Sequence, residues 1–309
     1  MIFIWSDMSG NWKVNMKKNI STFNELLSTC GQQNKRTYEL FQEKEAFLLD
    51  IEIEKVRSKV KKSLDAMKEA IHIGLSSNEK SISKQCGDDC EKLQKRYKAN
   101  EPLFGKLFKK ITAYALATIE ENLRMGKIVA CPTAGSCAIV PSVLVAISEE
   151  LNISEDEQIN ALITAGAIGS IVQNKVALAG AIAGCQAECG VAAAMSAGAL
   201  VQILGGSEKQ MVHAVALALK NILGLTCDPV AGLVEIPCVK RNVFLAIHSV
   251  TAAELALADI ESKIPTDEVV DALCQTGQLM SPMLKESSQA GLAKTKTALK
   301  IEQRVLNNI

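Results

Sequence analysis

The feature that most constrains the fold of this chain is a segment of small residues in its second half. Residues 161–200 contain 13 alanines and 6 glycines among 40 positions. Alanine is the best helix former, and interiors are close-packed, so side chains this small let helices approach each other closely. Alternation of β-branched and polar residues, which is typical of strands, is nearly absent. The sequence therefore predicts an all-α or nearly all-α fold in which Ala/Gly-rich helices are buried.

The distribution of charge separates the first third of the chain from the rest. The 34 basic and 34 acidic side chains cancel, and this balance argues against a nucleic-acid partner, because nucleic-acid affinity depends on excess positive charge. Residues 1–110 carry 21 basic and 15 acidic side chains, whereas residues 111–309 carry 13 and 19. We therefore expect a solvated helical layer in front of a buried second half.

The start of the chain and its apolar runs indicate a cytoplasmic protein with no membrane partner. Asp7 interrupts the apolar start, and no small-residue cleavage site follows it. The longest apolar runs of the second half are 10–13 residues, short of the roughly 18 that a membrane span needs. Ten cysteines in such a chain are expected to stay reduced. We expect residues 1–20 to be a poorly ordered extension and residues 21–309 to be a single helical domain.

Apolar periodicity and capping signals place the helices along the chain. Residues 21–72 show one continuous helical pattern, followed by a polar break in which Cys86 and Cys90 are expected on a surface loop. Ser154 and Ser207 each precede a glutamate or glutamine by three positions, which is the pattern of a capping box. The remaining expected helices cover residues 103–123, 141–151, 154–172, 207–224, 242–262, 266–274 and 298–306.

The loop over residues 131–137, CPTAGSC, is the first candidate site. Its backbone N–H groups and the hydroxyls of Thr133 and Ser136 are suited to binding an anion in front of the helix that contains Pro141. A tight turn in which the same hydroxyls cap the backbone is the alternative.

Four cysteines in two further segments are candidate metal ligands. Cys185 and Cys189 are four residues apart, on one face of a helix, where they are either ligands or buried apolar side chains. Cys227 and Cys238 are eleven residues apart on a loop framed by prolines, and thiolates in such a loop suit a soft metal or an iron–sulfur cluster.

Two cations directly follow the second cysteine of that loop. Lys240, Arg241 and Asn242 form a polar triplet after an apolar segment. Such a triplet is either a solvated helix start or a site for a substrate carboxylate, and its position after the apolar loop favours the carboxylate site.

Together these segments resemble the α chain of bacterial iron–sulfur-dependent L-serine dehydratase, a family whose catalytic domain is helical. The resemblance covers roughly residues 40–300, and the run CDPVAGLVEIPCVKRN is long and specific. The segments that carry the resemblance are MGKIVACPTAGSC (125–137), TAGAIG (164–169), AGCQAECG (183–190), LKNILGLTCDPVAGLVEIPCVKRN (219–242), DEVVDA (267–272) and AGLAKT (290–295).

The resemblance implies a cofactor and a reaction. Members of the family hold one [4Fe–4S] cluster with an open iron site on three cysteines, which correspond here to Cys185, Cys227 and Cys238. Cys189 is not among them. The open iron acts as a Lewis acid on the hydroxyl of the substrate, as catalytic zinc does. The implied reaction is α,β-elimination from L-serine, a small-molecule amino acid, to give pyruvate and ammonia.

The resemblance also implies substrate contacts and a partner. Thr133, Ser136, Lys240, Arg241 and Asn242 lie in the matching motifs and are the expected substrate-binding residues, whereas no residue is assigned as the general base. The β part of these enzymes carries a Ser-Ser-Ser-His-Thr-type segment that is absent from this sequence. We therefore expect a separate β subunit.

Two other functions remain open because the sequence departs from the family pattern at residues 83–89 and 175–181. The glycine-rich segment and the Asn-Ala-Ser-type segment of the family are replaced there by SKQCGDD and KVALAGA. Such changes suit desulfuration of L-cysteine, in which the open iron takes a thiolate, or a cluster-binding subunit that is catalytically degenerate.

Overall fold

A computed structural model describes residues 20–307 of the chain. Residues 1–19, the greater part of the expected N-terminal extension, lie outside the described residues. Ile20, the last residue of that expected extension, is buried in the hydrophobic core.

Residues 20–307 form thirteen α-helices and no β-strand, which confirms the all-α prediction. Four short 3₁₀ helices cover Ala134–Ser136, Val230–Gly232, Pro282–Leu284 and Gly291–Lys294. The α-helices are α1 (Phe23–Gln33), α2 (Thr37–Leu49), α3 (Ile53–Ser76), α4 (Asp89–Ala99), α5 (Gly105–Leu123), α6 (Ile139–Leu151), α7 (Glu155–Gln173), α8 (Gly180–Ala183), α9 (Cys185–Ile203), α10 (Glu208–Lys220), α11 (Cys238–Leu257), α12 (Thr266–Leu279) and α13 (Lys296–Leu306).

Helix α9 is the central element of the fold. It packs against α6, α7, α10 and α11, and all of its residues up to position 202 are buried except Glu188. Its small side chains make this possible: a Cβ added to Gly198 would lie 2.2 Å from Cδ1 of Ile168 on α7. The alanine- and glycine-rich segment is therefore buried because close helix packing leaves no room for larger side chains.

The predicted single helix over residues 21–72 is wrong, because the structure divides it into α1, α2 and the first part of α3. Asn34 and Asp50 end the first two helices in the left-handed conformation, with φ of 50° and 51°. Asparagine and aspartate tolerate this region better than other side-chain-bearing residues, and periodicity alone does not reveal such a break.

The predicted surface loop at Cys86 and Cys90 is also wrong. Both thiols are buried in the core, and α4 begins at Asp89. The buried carboxylate of Glu120 accepts hydrogen bonds from the backbone N–H groups of Asp89 and Cys90 at 2.7 and 3.3 Å. An acidic side chain on another helix thus caps the N-terminus of α4, where negative charge is favourable.

The two predicted capping boxes in the second half are confirmed, but several predicted helix ends are wrong: α10 ends at Lys220 rather than near residue 224, and α12 continues to Leu279 rather than ending at Cys274. The hydroxyl of Ser154 accepts from the N–H of Glu157, and Ser207 and Gln210 cap each other reciprocally. Helix α11 begins at Cys238 rather than at Asn242 and ends at Leu257. The three polar residues 240–242 therefore lie in its first turns.

Within residues 20–307, one apolar stretch has the length and composition of a membrane span. It covers Ala134–Leu151, and 78% of it is buried inside the protein. This stretch comprises the 3₁₀ turn of the CPTAGSC loop and α6, and its burial shows that it is a core helix.

Candidate metal centre

The N-terminus of α9 brings Cys185 next to the loop that carries Cys227. Sγ of Cys185, Sγ of Cys227 and a carboxylate oxygen of Glu188 all lie within 4.8 Å of one another, and both thiols are buried. Gly184 makes the sharp entry into α9 with φ of 78°, and a Cβ there would lie 2.9 Å from the carbonyl oxygen of Leu225. Glycine is thus required where the backbone turns to present Cys185.

The other two candidate cysteines border this group. Cys238, the first residue of α11, is buried, and burial together with the charges of Cys185 and Glu188 raises its pKa. Cys189 lies one turn along α9 from Cys185, which together with burial raises the pKa of its thiol. Two of the three expected ligands, Cys185 and Cys227, are therefore adjacent, and Cys238 lies within electrostatic range of both Cys185 and Glu188.

Cys185 is the thiol that ionises most easily. Hydrogen bonds from Cys189 and Cys227 lower its pKa, and the guanidinium of Arg241 lowers it further. The same hydrogen bonds raise the pKa values of Cys189 and Cys227. Thiolate is the form of cysteine that binds metals, so the lowered pKa of Cys185 favours its role as a ligand.

Glu188 is the site residue that the sequence interpretation missed. Its Oε1 accepts a hydrogen bond from the hydroxyl of Thr133, and its Oε2 lies 3.9 Å from Sγ of Cys185. Burial raises the pKa of its carboxyl to about 7. A signal was present, since Glu188 is the only charged residue between Lys175 and Glu208. A single charged residue in an apolar segment is a candidate site residue, because charged side chains are seldom buried without a partner.

The CPTAGSC loop forms a tight turn with side-chain caps. The hydroxyls of Thr133 and Ser136 lie 3.1 Å apart, and the N–H of Thr133 donates to Ser136 at 3.4 Å. The fully buried amide of Asn242 holds this turn against α11: it donates to the carbonyls of Gly135 and Cys238 at 2.8 and 3.0 Å and accepts from the N–H of Ala138 at 3.2 Å. These three hydrogen bonds of the Asn242 side chain are therefore all made to backbone groups.

The two cations at the start of α11 point to different partners. Arg241 donates to Sγ of Cys185 at 3.4 Å, to the carbonyl of Thr226 at 2.8 Å and to Asp228 at 2.9 Å. Lys240 is half-exposed and forms an ion pair with Asp89 at the start of α4. Only Arg241 faces the thiols.

The segment after α12 covers the loop of Cys227. Cys227 donates its N–H to the carbonyl of Leu284 at 2.8 Å and accepts from the N–H of Glu286 at 2.6 Å. Asp228, the partner of Arg241, also accepts from the N–H of Leu292 at 2.8 Å. Residues 284–292 are thus tied by their backbone to the candidate metal centre.

Sequence comparison identifies the family. The model of the family described as serine dehydratase alpha chain matches residues 13–293. This chain belongs to that family. A protein of Bacillus subtilis named probable L-serine dehydratase, alpha chain, is 41% identical over 281 residues, which cover 88% of this chain and 94% of that protein.

Two further relatives differ in length. The L-serine dehydratase alpha chain of Peptoniphilus asaccharolyticus is 37% identical over 287 residues, which cover 93% of this chain and 98% of that protein. The L-serine dehydratase of Helicobacter pylori strain J99 is 38% identical over 288 residues, but these cover 89% of this chain and only 61% of the longer relative. The alpha-chain segment therefore occurs both in proteins of this size and within longer ones.

Proposed function

We propose that this chain is the alpha subunit of an iron–sulfur-dependent L-serine dehydratase, which converts L-serine to pyruvate and ammonia. The observation that carries the proposal is the buried pair of Cys185 and Cys227 beside Glu188, in a chain of the serine dehydratase alpha family. The resemblance of the surrounding motifs supports the same reaction.

We propose Cys185, Cys227 and Cys238 as the ligands of a [4Fe–4S] cluster with one open iron site. Thiolates are the donors that such clusters prefer, and the lowered pKa of Cys185 suits that role. Glycines 135 and 180 border the thiols and Glu188 where a side chain would collide with them, so the backbone leaves room at the site. When bound, the cluster would supply a Lewis-acidic iron that makes the β-hydroxyl group of serine a better leaving group.

Of the five expected substrate-binding residues, Arg241 is proposed to bind the substrate carboxylate. Thr133, Ser136, Lys240 and Asn242 are proposed to shape and position the site around it. Arg241 is the cation at the thiols, held in place by Asp228 and the carbonyl of Thr226. Asn242 positions the CPTAGSC turn through its backbone contacts, and Lys240 fixes α11 against α4 through Asp89. Thr133 donates its hydroxyl to Glu188, and the hydroxyl of Ser136 lies 3.1 Å from that of Thr133.

A separate beta subunit is proposed to complete the enzyme in the cytoplasm. Two relatives of similar length are named alpha chains, and the longer relative from H. pylori has about two-fifths of its length outside the matched region. Reduced thiols, as this site requires, are typical of the cytoplasm.

The test is turnover by the two chains purified together without oxygen. We expect pyruvate from L-serine, in proportion to the iron bound per chain, and no turnover by either chain alone. The variant Cys185→Ser should lose both iron and activity, and Cys30→Ser, at a buried thiol in α1, is the matched control. Sulfide from L-cysteine without pyruvate from serine would instead identify a desulfidase. An intact cluster that turns over neither substrate would identify a non-catalytic subunit.

A further inference from the structure

The carboxylate of Glu188 lies in the centre without an ion-pair partner among the described residues, and Arg241 acts on it only through the field of its charge. No lysine, arginine or histidine of residues 20–307 forms an ion pair with it. Its protein contacts are the hydroxyl of Thr133 and the sulfur of Cys185. A carboxylate offers about four acceptor sites, so most of its capacity remains for another donor.

The backbone around Glu188 leaves space for its carboxylate at one position. A Cβ added at Gly135 would lie 2.5 Å from Oε1, and one added at Gly180 would lie 2.8 Å from Oε2. Thr133 fixes Oε1 by its hydrogen bond. Glu188 is also the one residue of α9 up to position 202 that is not fully buried, so one edge of it remains accessible.

The thiol of Cys185 also contacts a positively charged side chain. Arg241 donates to Sγ of Cys185 at 3.4 Å, and Oε2 of Glu188 lies 3.9 Å from that sulfur, yet the two side chains do not pair with each other. Cys185 is therefore flanked by one guanidinium and one carboxylate. A free α-amino acid presents the complementary pair, an α-carboxylate and an α-ammonium group on one carbon.

We infer that Glu188 binds the α-ammonium group of a substrate whose carboxylate Arg241 binds, and thereby makes the site specific for α-amino acids over acids that lack the ammonium group. This inference rests on the proposed function for the identity of the substrate. A partly buried carboxylate without a partner is costly, and an incoming ammonium group relieves that cost, so binding favours ligands that carry one.

The test compares two ligands that differ only in the ammonium group and that cannot be turned over. L-alanine and propionate both lack the hydroxyl leaving group, and calorimetry measures their binding to the cluster-loaded complex of both chains. The native complex should bind L-alanine more tightly than propionate. In Glu188→Gln, the affinity for L-alanine should fall about 30-fold or more, as for the loss of one partner of a buried charge pair, while that for propionate stays unchanged.

Three controls separate the loss of charge from other effects. Glu188→Asp keeps the charge and should retain part of the preference for L-alanine. Glu286→Gln removes an exposed carboxylate whose charge also acts on Glu188, and it should change the preference by less than about threefold, as for an exposed charge. Iron content and the electron paramagnetic resonance spectrum of the reduced, ligand-free cluster should be the same in Glu188→Gln as in the native complex.

The inference is overturned if the native complex shows no preference for L-alanine, or if Glu188→Gln weakens both ligands equally. It is equally overturned if that variant alters the spectrum without a ligand, since Glu188 would then bind iron. These outcomes are distinct from failure of the proposed function. A complex that prefers L-alanine through Glu188 but forms no pyruvate from serine would refute the dehydratase and leave the ammonium site standing.

Discussion

Replacing Asn242 with alanine should be among the most damaging single changes near the site, although Asn242 carries no charge. Its side chain joins the CPTAGSC turn to the first turn of α11, and it is fully buried. Truncation leaves the carbonyl of Gly135 and the N–H of Ala138 without this partner in a dry interior. The carbonyl of Cys238 loses the same donor but lies in the first turn of a helix.

The size of the effect follows from the two backbone groups that are left unpaired. Each buried donor or acceptor without a partner costs about 1–3 kcal/mol, so the free energy of unfolding should fall by about 4 kcal/mol. Typical proteins are stable by only about 5–15 kcal/mol, so this is a large fraction of the total. Asn242→Asp should be no better, because it removes both amide donors and turns a carboxylate toward two carbonyl oxygens.

Urea denaturation of the native and variant chains, followed by circular dichroism, measures the loss of stability. Hydrogen exchange at Gly135 and Ala138 reports whether the turn has been released from α11. Asn174→Ala is the matched control, because this exposed amide donates one hydrogen bond, to the carbonyl of Ser21, and should change stability by less than about 1 kcal/mol. A loss below 1 kcal/mol in Asn242→Ala, with unchanged exchange, would refute the reasoning.

Three further predictions follow from the same structure. Cys189→Ala should leave the iron content unchanged, as measured by iron analysis after anaerobic reconstitution; loss of iron would make Cys189 a ligand. Arg241→Lys should weaken substrate binding at least tenfold in a titration with L-alanine, because lysine lacks the planar fork that reaches both Thr226 and Asp228; unchanged affinity would contradict this. Burial raises the pKa of Glu45 to about 7, and its Oε2 has no hydrogen-bond partner. The folded state therefore holds this proton more tightly than the unfolded chain, and stability is lost as the pH rises from about 4.5 through 7, by about 3 kcal/mol in all. Glu45→Gln should flatten that pH dependence in urea denaturation, and an unchanged slope would show that another group is responsible.

The sequence was sufficient for features that depend on residues close together in the chain. The caps at Ser154 and Ser207 lie within three positions of their partners, and both were located correctly. The class of fold followed from the helical periodicity and the near absence of strand-type alternation, and the burial of residues 161–200 followed from their small side chains. Composition and periodicity did not reveal the helix ends at Asn34 and Asp50. A single left-handed residue ends a helix without disturbing the apolar pattern of the sequence.

The motifs of the sequence identified the cysteines of the candidate centre but not how the surrounding charges pair. Thr133 reaches Glu188 across 55 positions, Arg241 reaches Cys185 across 56, and Lys240 reaches Asp89 across 151. Two adjacent cations, Lys240 and Arg241, were expected in one pocket, yet successive residues of a helix point about 100° apart and so meet different neighbours. Which neighbour each one meets is decided by the packing of α4, α9 and α11. The sequence alone therefore identified the residue types of the centre. The tertiary structure decided that Arg241 forms its ion pair with Asp228 and that Glu188 forms none among the described residues.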